Sequence, residues 1–177
     1  KRPGTFITDG RLTTQRRVRG DDDPAGFRTD TIPLEADEFS YALGKGGSTR
    51  RKLASASGCV LEYVGHTACL TGWKVERQRA RDYLRWLLKQ RHGSMTVDTS
   101  GRSDATVVTL PGASVGFVTG HRGEALRVIE KESSTFCFLN SSGERGADED
   151  LLIFSHVADD RLKAKELVLN KIAEHGH

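Results

Sequence analysis

Two glycine loops carry the residues best suited to chemistry: Gly44-Lys45-Gly46-Gly47 and Gly120-His121-Arg122-Gly123. That chemistry is the holding of a phosphate. Glycine adopts φ > 0 and lets an anion approach with no Cβ in the way. Each loop runs into a predicted helix, whose first N–H groups and dipole favour an anion. The middle residues face solvent, where Lys45 and Arg122 offer donors. Ser48 follows the first loop and reads equally as a further donor or as the helix cap. Arg51 and Arg127 fall one turn into the next helix, as groove-lining cations or as ordinary solvated surface. A lone G-x-x-G says little. Here Gly44 and Gly120 lie 76 positions apart in gap-free register, which reports a duplicated unit.

The elements that must position these loops repeat as well. The first unit reads as a strand (Thr31 to Glu35), a helix (Asp37 to Leu43), the loop, and a helix from Ser48. Strands from Cys59 and from Thr67 to Thr71 follow, then a long helix from Lys74. The second unit reads as a strand (Ala105 to Leu110), a helix from Ala113, the loop and a helix from Glu124. A strand from Thr135, another from Leu151 to Ser155 and a helix from Asp159 complete it. Ala80, Tyr83, Leu84, Leu87 and Leu88 share one face of the first closing helix, as Ala164, Leu167, Val168 and Ile172 do in the second. The fold class is α+β, with helices on one face of each small three-stranded sheet.

In motif and element order both units resemble the K homology (KH) domain, in which a G-x-x-G loop clamps about four nucleotides of a single strand by their backbone. The second unit gives Val115-Gly116-Phe117-Val118-Thr119-Gly120 before its loop and Gly123-Glu124-Ala125-Leu126-Arg127-Val128-Ile129 after it. The first gives Gly47-Ser48-Thr49-Arg50-Arg51-Lys52-Leu53, with Gly58 ahead of its strand. A helix after the third strand implies the type I arrangement, β-α-α-β-β-α. The resemblance implies an apolar groove floor from Phe39 and Leu43, or Val115 and Val118. The opposite wall would be the second strand, Val60 to Tyr63 including Leu61, or Phe136 to Leu139, whose backbone reads base edges. Two departures stand out. Arg50 occupies a usually buried apolar position and must reach solvent or meet an acid such as Glu62, and Thr119 makes the second floor more polar.

The predicted organisation is an N-terminal extension (1–28), a first KH domain (29–92), a linker (93–103) and a second KH domain (104–177). The extension reads as a loosely docked tail, with a basic arm as the alternative; Met95-Thr96-Val97 in the linker could add a strand. The chain begins at Lys1, so a fragment is expected. Its net charge of +3 is unevenly divided. Residues 1–93 hold 18 Lys/Arg against 11 Asp/Glu, a balance of +7, and residues 94–177 hold 9 against 13, a balance of −4. The basic half suits a phosphate backbone. Four carboxylates in the second unit's charged turn, Asn140 to Asp150, would repel one.

Other chemistries find no support in the residues. Gly44 to Thr49 lacks the triphosphate-cradle spacing. The six histidines show no metal-ligand spacing, and no nucleophile–base pair can be placed, so neither an enzyme, a cofactor nor a metal is expected. Cys59, Cys69 and Cys137 read as small core residues of a reducing compartment. No apolar run spans a membrane and no secretory signal stands at the start. The expectation is an intracellular protein, in cytoplasm or nucleus. It would bind single-stranded RNA, or single-stranded DNA as the alternative, with the first module dominant. The competing expectation is a scaffold whose acidic second domain docks a protein partner.

Overall fold

The computed structural model describes residues 26–140 and 144–176. The readings of the extension up to residue 25, of Ser141 to Gly143 and of His177 lie outside them. Strand β1 (Arg28–Pro33) leads to α1 (Ala36–Leu43), a one-turn 3-10 segment (Lys45–Gly47) and α2 (Ser48–Ser57). Strands β2 (Val60–Val64) and β3 (Thr67–Gly72) form a hairpin, and α3 (Lys74–Lys89) closes the unit. The second unit repeats the order with β4 (Ala105–Leu110), α4 (Val115–Thr119), α5 (Glu124–Ser133), β5 (Phe136–Asn140), β6 (Glu149–Phe154) and α6 (Ala158–His175). The two sheets are antiparallel, ordered β1-β3-β2 and β4-β6-β5. The chain is therefore α+β, built of two KH-like modules.

Local chemistry sets several of these boundaries. Glu38 accepts from the Glu35 N–H at 2.8 Å at the start of α1, and Glu76 accepts from the Trp73 N–H at 2.8 Å at the start of α3. Each carboxylate so satisfies a backbone donor that a helix leaves unpaired. Ser48 makes no side-chain cap, because left-handed Gly47 occupies the N-cap position and Ser48 is already helical. The second module's first helix starts later than Ala113, its opening turn being a separate 3-10 segment, Gly112–Ser114. Helix α2 ends at Gly58 (φ 76°), and α5 at the matching Ser134 (φ 59°).

Within each module the helices bury one face of the sheet. Leu53, Leu61, Leu70 and Leu84 are fully buried in the first; Leu110, Val118, Leu151 and Ile153 are in the second. Cys59 and Cys137 join these cores, whereas Cys69 is half-buried on the outer side of its sheet.

The outer face of the second sheet is covered along β5 and most of β6, while Val107 and Thr109 of β4 stay exposed. Phe136 and Phe138 of β5, with Leu152 and Phe154 of β6, are buried in the first module's core. There they meet Tyr83 and Trp86 of α3, with ring centroids 5.5 Å apart for Tyr83–Phe136 and Tyr83–Phe154 and 4.9 Å for Trp86–Phe154. Such pairs contribute about 0.5–1.5 kcal/mol each beyond the area they bury. Polar groups fix the register of this seam. The Tyr83 hydroxyl donates to Asp104 at 2.7 Å. Arg102 pairs with Asp82 at 3.1 Å and Asp104 at 2.8 Å while lying 4.9 Å over the Trp86 ring. The His156 N–H donates to Ala56 O at 2.8 Å, and a Cβ on Gly58 would stand 2.9 Å from the His156 ring.

The segment read as a linker takes part in the seam. Met95 and Val97 pack on the shared core, and the Asn140 amide exchanges two hydrogen bonds with the Val97 backbone, at 2.8 and 3.3 Å. Residues 95–97 form no strand; a side-chain amide takes the place of a neighbouring one.

Candidate nucleic-acid interface

The two loops have one backbone shape. Gly44, Gly46 and Gly47 have φ of 75°, 63° and 77°; Gly120, Arg122 and Gly123 have 80°, 54° and 77°. The first glycine of each is required twice over, by its φ and by contact. A Cβ on Gly44 would stand 2.3 Å from Thr49 Oγ1, and one on Gly120 would stand 2.7 Å from Ala125. The third position tolerates a side chain, since Arg122 adopts there what Gly46 adopts in the first loop.

Arg51 Nη1 donates to Gly46 O at 2.7 Å, so a cation lies directly against the first loop. Arg127 takes the same place: its Nη1 would stand 3.3 Å from a Cβ on Gly123, as Arg51 Nη1 would from one on Gly47. Lys45, Gly46, Ser48, Arg51, His121, Arg122 and Arg127 are exposed. The structure thus gathers at each loop a left-handed backbone turn, an exposed cation at its tip and a guanidinium at its base.

The first module's edge strand is exposed on its outer face. Val60 and Val64 of the edge strand β2 are 52% and 68% exposed. Leu61 lies in the core at 1% exposed, so that residue offers the groove its backbone alone, and its carbonyl already accepts from Arg50 Nη1 at 3.0 Å. Arg50 reaches Glu62 at 4.0 Å as well, meeting the demand that it leave the core or find an acid. Phe39 is half-buried against Tyr63 (5.5 Å) and His66 (4.8 Å), with Leu43 also half-buried nearby in α1. Tyr63 donates to Ala42 O at 3.0 Å, and burial pushes its phenol up to about 12, so it stays neutral.

The second groove is built differently. A cavity of about 460 Å³ is lined by Thr119, Gly123, Leu126 and Cys137, and also by Tyr41, Thr49, Lys52 and Gln90 of the first module. Its edge strand is buried where β2 is exposed. The Cys137 N–H donates to Glu130 Oε2 at 2.8 Å, which occupies an edge donor that could otherwise meet a base. Glu130 is 4% exposed; burial raises its pKa, opposed by Lys52, whose Nζ lies 2.9 Å away. The Thr119 hydroxyl is spent on Val115 O at 2.9 Å. Two carboxylates of the charged turn are engaged beside β4: Asp148 accepts from the Gly112 N–H and Asp150 from the Thr109 hydroxyl.

Glu130, Trp86 and Phe154 went unremarked in the sequence, although a signal was present. Phe136-Cys137-Phe138-Leu139 and Leu151-Leu152-Ile153-Phe154 are continuous apolar runs, the pattern of strands covered on both faces. Among the described residues no helix is long and apolar enough to cross a membrane, and no His, Cys, Asp or Glu cluster could hold a metal.

No protein-family model and no curated protein matches the chain. Solved structures give weak overlaps. One is a complex of a/eIF2alpha, aDim2p and rRNA from Pyrococcus horikoshii, with 11% identity over 82% of this chain and 85% of that one, TM-score 0.33. Dim2p from the same organism gives 11% identity over 83% and 99%, TM-score 0.34. A protein of unknown function from Aeropyrum pernix gives 12% over 85% and 89%, TM-score 0.34. Overlap this low establishes neither a shared fold nor a shared ligand.

Proposed function

We propose that the chain is a tandem type I KH protein that binds single-stranded nucleic acid, RNA in the first instance, with the first module's loop and groove dominant. The observation that carries this reading is the Gly44–Gly47 loop. It is exposed, held in a left-handed turn, backed by Arg51 and tipped by Lys45, beside an edge strand whose Val60 and Val64 are exposed. The basic balance of residues 1–93 supports it, since released counterions drive phosphate binding. The rival reading, an acidic second module that docks a foreign protein, loses its most apolar surface. Phe136, Phe138, Leu152 and Phe154 already lie against the first module.

Replacing Lys45 and Gly46 by Asp-Asp tests the reading. Both sites are exposed, and Arg122 demonstrates that the Gly46 position accepts a side chain. Binding to random single-stranded RNA, and to DNA in parallel, is expected to fall at least about tenfold, or ~1.4 kcal/mol. Unchanged affinity with an unchanged circular dichroism spectrum would remove the loop from the function.

A further inference from the structure

The seam between the modules holds a second charged surface that neither loop motif contains. A cleft of about 300 Å³ runs between α2 and α5. Arg51 and Lys52 line one side, Arg127 and Lys131 the other, with the hydroxyls of Ser48 and Ser134 alongside. Its single carboxylate, Glu130, is buried and neutralised by Lys52 at 2.9 Å, so the charge presented to solvent is positive. Among the described residues Arg127 and Lys131 form no ion pair. The cleft is tied to both loops, because Arg51 donates to Gly46 O and Arg127 lies against Gly123.

We propose that this cleft carries the phosphate backbone of the same single strand onward from the first loop, so that the second module contributes through Arg127 and Lys131 at the seam. The inference rests on the nucleic-acid reading above. It adds the ligand's extent: a strand longer than the four or so nucleotides one loop clamps. The physical reason is electrostatic. With Lys52 offset by Glu130, the net charge of Arg51, Arg127 and Lys131 along a concave wall focuses a field that a linear polyanion satisfies, whereas an isolated phosphate would meet mostly water. The second module's own groove is not required for this, which accommodates the sealed edge of β5.

The test uses the whole chain, with fluorescent oligouridine of four and of about ten nucleotides. An Arg127→Glu, Lys131→Glu double variant, whose positions are exposed, should retain the wild-type unfolding midpoint. It is expected to lose about tenfold or more on the long probe and clearly less on the short one. The Lys45→Asp, Gly46→Asp variant should lose affinity for both. Wild-type binding of the long probe by the cleft variant, with the loop variant impaired, would overturn the cleft and leave the loop's role standing. Equal loss on both probes would also overturn it, by placing these cations in the loop's own site. A loop variant that binds both probes normally would sink the underlying reading instead.

Discussion

The outer faces of the two sheets, compared position by position, show how one fold comes to present two different surfaces. Val60, Glu62 and Val64 on β2 correspond, 76 residues on, to Phe136, Phe138 and Asn140 on β5. The first set is exposed; the second is buried or half-buried against Tyr83, Trp86 and the Val97 backbone. Replacing small and charged side chains by two phenylalanines converts a solvated face into a docking face. The conversion costs the second module its open edge. The loops were left alike while the walls beside them diverged.

The largest effect expected from disturbing this contrast is at Phe154. Phe154→Ala removes a fully buried ring that meets Tyr83, Trp86 and Phe138, and should cost about 3–5 kcal/mol in urea unfolding. Val64→Ala on the open face should cost little, and equal losses would erase the distinction between the faces. Next comes Asp104→Asn, which leaves Arg102 with only part of its partnership and should cost about 1–3 kcal/mol near pH 7. The pH dependence has a definite sign. Burial works to raise the Asp104 pKa, but hydrogen bonds from Arg102 and Tyr83 hold it below 3.8. A depressed carboxylate stabilises the fold above its unfolded value and loses that contribution as pH falls through the folded one. The gap between wild type and Asp104→Asn should therefore narrow below pH 3.8. The smallest effect is assigned to His121 and Arg122. Changing both to Asp should weaken RNA binding by less than the matching first-loop change, less than about tenfold, because β5 is closed to bases. A loss as large as the first loop's would mean that both grooves read the strand.

Much of this architecture was legible because its signals are local. Left-handed turns demand Gly44, Gly47, Gly120 and Gly123, and both glycine pairs could be read directly with the helices that flank them. Alternation in Val60 to Val64 and the spacing of Leu84 and Leu87 placed strand and helix within a few residues. Ser48 failed as a cap because a left-handed glycine had already taken that position. What escaped depends on contacts across the seam. Trp86 lies outside the i, i+3, i+4 set that faces its own sheet, and Glu130 reads as ordinary helix surface until Lys52 is brought to it. The cleft needed both modules in place before Arg127 and Lys131 could be seen beside Arg51.

The buried outer face of the second sheet also bears on synthesis. Translation delivers the first module before the second, so α3 is available as a platform when Phe136, Phe138, Leu152 and Phe154 arrive. Made in the opposite order, or alone, the second sheet would present that apolar face and the β5 edge to the crowded cell together, the combination that invites strand-to-strand aggregation. The order of the two modules along the chain thus protects the more adhesive one by supplying its cover first.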